Sequence, residues 1–219
     1  MGDHLRGRGI FRAGGVVGQE PARPGSGGPF RLVAGLCLAL ALAACGSTPV
    51  PTYNLSAPSG FTAGGSGTGQ LVVMAPTALA VLNTDKVMVE PGPGQVAYLA
   101  DAQWSDSLPA LLQARAIQAF ENGSKLRRVA RPGDGVTADY QLVMDIRTFA
   151  LRITDQGPVA VVELSAKLIG AQSGRILAAQ VFRAAVPAAS SAGQAATFAL
   201  NDAADQVLVA MVRWASGRF

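Results

Sequence analysis

The sequence is poor in the side chains that most often do chemistry. Its 219 residues include one histidine, His4, and two cysteines, Cys37 and Cys45, all near the N-terminus. A body without histidine has no imidazole to activate a serine or cysteine nucleophile, and without clustered cysteine and histidine it has no zinc-binding set. With so few cysteines there is no disulfide framework either, and a chain of this length buries a full core without one. Long apolar runs are missing as well. The unbroken run from Leu32 to Ala44 is 13 residues, whereas a membrane-spanning helix needs about 20.

What that short run does have is its context. Arg31 stands immediately before it and Arg23, Arg12, Arg8 and Arg6 further back, and it ends in Ala43 and Ala44. A positive flank, a short apolar core and a small-residue exit make a secretory signal peptide. The order Leu42, Ala43, Ala44, Cys45, Gly46 resembles a bacterial lipobox, which makes Cys45 the expected site of S-diacylglycerol and N-acyl attachment after cleavage before it. A cysteine that follows an ordinary signal peptide by chance is the alternative. The segment before the apolar run is long for such a leader, so a translation start further in is a second open point. Cys37 lies inside the apolar run and would leave with it.

Removing the leader changes the electrostatics. The chain has 18 Lys and Arg against 14 Asp and Glu, but residues 1–44 hold five Arg and two acids, which leaves 13 against 12. A nearly neutral body gives no electrostatic argument for nucleic acid. Residues 45–69 are rich in Gly, Ser, Thr and Pro and read as a lipidated flexible tether, with a short strand near Tyr53 to Leu55 and a flexible loop over Gly64 to Gly69. The GGSGTG cluster in it lacks the lysine and following Ser or Thr of a phosphate loop.

From residue 70 the pattern is structured. LVVMAP, DKVMVE and QVAYLA are short strands bounded by Pro, Asn and Gly. Over residues 105–122 Leu108, Leu111, Leu112, Arg115 or Ala116, Ala119 and Phe120 recur at helical spacing, with Ser105 or Ser107 to cap, Pro109 in the first turn and Asn122-Gly123 to stop. Leu112 falls at the centre of the apolar stripe and Gln113 beside it, toward solvent. Three long strands follow: DYQLVMDIRTFALRI, with a phase slip near Thr148 and Phe149 that marks a bulge, VAVVELSAKLIGA, and ILAAQVFRAAVP. The chain closes on a helix whose stripe is Phe198, Leu200, Ala204, Val207, Leu208, Met211 and Trp214 or Ala215. The expected fold class is α+β: a mainly antiparallel sheet with two long amphipathic helices packed on one face and the other face open.

Few side chains stand out as sites. Lys125, Arg127, Arg128 and Arg131 could contact a partner or lipid headgroups, or form a solvated strand edge that resists aggregation. Trp104 and Trp214 could anchor an interface or pack at the borders of the helices. Asp139 and Asp145 lie six residues apart on a strand, about 20 Å, too far to share one cation. No cofactor, metal or catalytic set is expected.

Taken together, Cys45, Tyr53-x-Leu55, the block from Ala97 through Trp104 to Gly123, the Asp139-Tyr140-x-Leu142 strand ending in Phe149, and the terminal AADQVLVAMVRW resemble the ABC-type transport auxiliary lipoproteins, the PqiC-like family. Ala97 departs from relatives that often carry a second aromatic before Tyr98. The resemblance implies a non-enzymatic outer-membrane lipoprotein facing the periplasm. Its implied partners are a periplasmic MCE-domain protein and inner-membrane ABC transporter components, in lipid traffic between the two membranes, with a homo-oligomer also possible. Gly46 in place of the aspartate that retains lipoproteins at the inner membrane agrees with that location. The alternative is a structural or assembly lipoprotein that stabilises an outer-membrane complex without handling lipid.

Overall fold

The structure, a computed structural model, describes residues 49–126 and 128–219. The leader 1–44, Cys45 and Arg127 lie outside the described residues. The chain separates into Met1–Thr48 and Pro49–Phe219, and the fold belongs to the second unit. Among the described residues no helix is long and apolar enough to cross a membrane.

The elements run β1 (Thr52–Tyr53), β2 (Leu71–Val73), β3 (Thr77–Ala78), β4 (Lys86–Glu90), β5 (Ala97–Trp104), α1 (Leu108–Gly123), β6 (Val129–Ala130), β7 (Tyr140–Thr154), β8 (Gly157–Gly170), β9 (Ile176–Pro187) and α2 (Gly193–Ser216). Strands β7, β8 and β9 form the antiparallel meander that their alternation predicts. Leu142 pairs with Leu168, Ile146 with Leu164 and Phe149 with Val162, and the register shifts between Ile146 and Thr148, where the phase slip places the bulge.

The sheet as a whole is mixed, which corrects the mainly antiparallel expectation. Strand β7 has β8 along one edge, while its other edge is taken in succession by β2, β3 and β4, all three parallel to it. Strands β1 and β5 are also parallel, as are β2 and β6, and β4 pairs antiparallel with β5. The route from β4 to β7 passes through α1, and a helical crossover is what parallel pairing requires. Strand β2, whose Leu71, Val72 and Val73 are all buried, has the continuous apolar run of a strand covered on both faces rather than the alternation of an open one.

Helix α1 starts at Leu108, where the apolar stripe begins. Ser107 sits at its cap position without a side-chain bond to the helix, and the Leu108 N–H donates instead to Thr84 O at 3.0 Å. At the other end the Ser124 hydroxyl donates to Phe120 O at 2.7 Å. The stripe is as read: Leu108, Leu111, Leu112, Ala116, Ala119 and Phe120 are buried. Gln113 is only partly exposed, because its Nε2 donates to Val73 O at 2.9 Å and ties α1 to β2. Helix α2 begins where the Gly193 N–H donates to Asp101 Oδ2 of β5 at 2.8 Å. It packs on β8, β9, β5 and β7, and α1 packs on α2, β6 and β2.

The α2 stripe needs one correction. Leu200, Ala204, Val207, Leu208, Met211 and Ala215 are in the core, but Phe198 is 58% exposed. Phe198 and Leu200 are two residues apart, about 200° around a helix, and cannot face the same neighbour.

Candidate functional site

Residues 52–69, expected as a flexible tether, form instead a strap seated between the two helices. It starts with β1, whose Tyr53 aligns with Trp104 of β5. Asn54 Oδ1 accepts from the Arg115 guanidinium of α1 at 2.9 Å. The Ser56 N–H and hydroxyl both donate to Asn201 Oδ1 of α2, at 2.7 and 2.9 Å. Pro58 O accepts from Asn122 of α1 at 3.2 Å, and the Ala63 N–H donates to Gly123 O at 2.7 Å. Leu55 and Ala63 are buried to 2% and 1% exposure. Contacts to α1 at Asn54, Pro58 and Ala63 and to α2 at Ser56 leave this segment little freedom.

Its glycines are set by close approach rather than by looseness. At Gly65 a Cβ would lie 1.8 Å from Ser216 O, and at Gly67 it would lie 2.8 Å from Lys125. Both have positive φ, 106° and 71°, conformations that cost glycine nothing. Gly123 does the same from the helix side, since a Cβ there would sit 2.1 Å from the Phe61 ring. Sequence reasoning read this composition as linker because Gly, Ser and Pro serve both purposes. The pairing of Phe61 with Gly123 is the kind of signal that one sequence does not expose.

One titratable group belongs to this clasp. The Ser56 hydroxyl also reaches Asp205 Oδ2 at 3.4 Å, while Asp205 Oδ1 is buried without a hydrogen-bond partner. Burial raises the Asp205 pKa above its ordinary value, the Ser56 hydrogen bond opposes that, and the neighbouring Asp202 charge adds to it.

The other residues singled out in the sequence serve the fold. Trp104 is buried and meets Phe149 edge to face with ring centroids 5.8 Å apart. Trp214 packs on Phe182 at 5.5 Å, with the Arg218 guanidinium over its other side at 4.7 Å. Asp139 Oδ2 accepts from the Gln70 N–H at 2.8 Å and Asp145 Oδ1 from the Thr77 hydroxyl at 2.9 Å, so the two carboxylates fasten the segments entering β2 and β3. Lys125, Arg128 and Arg131 are exposed on and around the short edge strand β6, which fits the solvated-edge reading. The Arg131 N–H donates to Asp134 Oδ2 at 2.7 Å in the turn that follows. Among the described residues no group of three or more His, Cys, Asp or Glu is placed to hold a metal.

The surface feature that the sequence misplaced is an open one. Phe198 projects from the first turns of α2 between two grooves. One, of ≈ 350 Å³, lies against Tyr53, Asn54, Ser56, Asn201 and Asp202. The other, of ≈ 420 Å³, lies against Val186, Pro187, Ala188, Gln194 and Ala195. Tyr53 meets Phe198 edge to face at 6.4 Å, so the exposed ring stands beside the start of the strap.

Three matches with known proteins place the chain among its relatives. The family model described as an ABC-type transport auxiliary lipoprotein component matches residues 53–212, beginning at the tyrosine of β1 and ending within α2. An uncharacterised protein of Bradyrhizobium diazoefficiens is 32% identical over 165 residues, which cover 74% of this chain and 44% of that protein. The chain thus spans less than half the length of that relative. The crystal structure of protein XCC0632 from Xanthomonas campestris, assigned to family DUF330, superposes with a TM-score of 0.71. It is 28% identical and covers 76% of this chain and 95% of its own.

Proposed function

The chain belongs to the family of ABC-type transport auxiliary lipoprotein components, and from that membership we propose that it is a non-enzymatic accessory anchored at the periplasmic face of the outer membrane through Cys45. There it docks the periplasmic MCE-domain component of an ABC transporter that moves lipid between the two membranes. The observation that carries this reading is a register: the family match opens at residue 53, a few residues after the Leu42-Ala43-Ala44-Cys45 lipobox. A short span between acyl site and domain is the layout of a lipoprotein whose whole folded part does the work.

The physics supports holding rather than catalysis. An acylated cysteine with diacylglycerol and an amide-linked chain carries three acyl chains, and each buried methylene contributes about 0.8 kcal/mol, so the attachment is durable. A domain held this way meets a weakly binding partner at an effective concentration of roughly millimolar when the linker is short. The strap clasped between α1 and α2 keeps the linker short.

Genetics tests this directly. Deletion of the gene is expected to reproduce the loss of the transporter's ATPase, with sensitivity to detergents and organic solvents, and to add nothing when the ATPase gene is deleted too. A deletion that is silent, or whose defect adds to that of the ATPase deletion, would remove the protein from that system.

A further inference from the structure

We infer that the end of the domain carrying Phe198 and Tyr53 rests on the lipid bilayer, so that the molecule has a fixed orientation on the membrane; the inference rests on the acylation of Cys45 proposed above. Three observations support it.

The first is reach. Thr52 is held in β1 against β5, and seven residues of extended chain from Cys45 to Thr52 span at most about 25 Å. The tether therefore leaves the fold one residue before Tyr53, whose ring touches Phe198. The second is composition. Residues 46–84 contain no Asp, Glu, Lys or Arg, and neither do residues 184–201. These two stretches supply the strap and the turn from β9 into α2, and the charged groups beside them are Arg115, held by Asn54, Asp101 at the start of α2, and Asp202 and Asp205 on α2. The third is exposure: Phe198 is 58% exposed and Val50, in the tether, is 39% exposed. Pro187 and Ala189 are exposed on the turn beside them. Aromatic side chains with an apolar body favour the headgroup boundary of a bilayer. A lipid surface that the tether holds within reach is present at high effective concentration, so a small apolar contact is enough to be populated. Asp202, one turn beyond Phe198, keeps the contact shallow, at headgroup depth.

The opposite end of the domain also exposes apolar side chains, Ile176 and Leu177 of β9, but it adds basic ones. Helix α2 rises about 27 Å between Phe198 and Ser216. At Ser216 the strap crosses at Gly65, and Gly67 then lies against Lys125. Arg128 and Arg131 flank β6, and Val136 stands exposed four residues before β7. With Phe198 at the bilayer, this basic end points into the periplasm, which turns Lys125, Arg128 and Arg131 away from lipid headgroups.

The test uses the acylated full-length chain reconstituted into phosphatidylethanolamine and phosphatidylglycerol vesicles, part of the lipid brominated at shallow acyl positions. Phe198→Trp and Val136→Trp each add a reporter at an exposed site, and Trp104 and Trp214 give a common background. The expected result is a blue shift and loss of most of the added emission for Phe198→Trp, with none for Val136→Trp. Vesicle flotation is scored in parallel. A chain that floats while the Phe198→Trp reporter is unquenched overturns the bilayer contact and leaves the anchoring intact, making the patch a site for a protein. Equal quenching of both reporters overturns the fixed orientation. A chain that fails to float overturns the acylation and the contact together.

Discussion

Replacing Leu112 by aspartate is expected to cost at least about 4 kcal/mol of stability. Leu112 is fully buried, with 0% exposure, at the centre of the α1 stripe. It belongs to the same apolar core as Phe120, Leu142 and Leu200, side chains that offer no hydrogen bond to a carboxylate. The change removes a fully buried aliphatic side chain, worth about 1.5–3 kcal/mol in transfer alone, and adds a charge with no partner. A domain of this size loses about 2–4 °C of melting temperature per kcal/mol, so a fall of roughly 10 °C or more should appear in a thermal melt of the soluble Cys45→Ser chain. The proper control is Glu121→Gln on the exposed side of the same helix, expected to stay within about 0.5 kcal/mol. The neighbouring Gln113 is not a silent site. Glutamate there would lose the amide donor to Val73 O and set a carboxylate against a carbonyl, which should cost about 1–3 kcal/mol. Equal losses for Leu112→Asp and Glu121→Gln would mean that the helix faces the other way.

Cys45→Ser is expected to abolish anchoring. The serine hydroxyl cannot take the thioether-linked diacylglycerol, and no described helix is long and apolar enough to cross a membrane in its place. Labelled palmitate should enter the unaltered protein and not the variant. Behind an ordinary cleavable leader, the Cys45→Ser chain should move from the membrane pellet to the soluble periplasm and remain folded, because the fold of Pro49–Phe219 is complete without the anchor. Persistent labelling, or a variant that resists alkaline washing, would place the attachment elsewhere.

How much of this was legible depended on whether the signal was local. The β7–β9 meander could be read because alternation, hairpin turns and the bulge at Ile146–Thr148 are written in consecutive residues. The same holds for the α1 stripe. The parallel pairing of β2, β3 and β4 with β7 could not be read, because it joins segments over 60 residues apart with no turn between them to advertise it. The strap was hidden for a different reason. Its clasp is built from Asn54, Ser56 and backbone groups, and its glycines mark close approach, yet each of these residues is equally at home in a linker. Phe198 was misplaced because hydrophobicity alone assigned it to the core, although its angular position on α2 sets it on the outer side. A surface that binds a partner has no signature in one sequence, and Lys125, Arg128 and Arg131 read the same whether they meet a protein or water.

The central claim is that the anchored domain holds a transporter component near the outer membrane, and crosslinking in intact cells followed by affinity recovery of the acylated protein tests it most directly. The account predicts that the periplasmic MCE-domain protein of an ABC lipid transporter is the main crosslinked partner, and that its recovery falls sharply with Cys45→Ser at equal protein abundance. Recovery of outer-membrane assembly factors alone, with no transporter component, would contradict it and leave the structural role in its place.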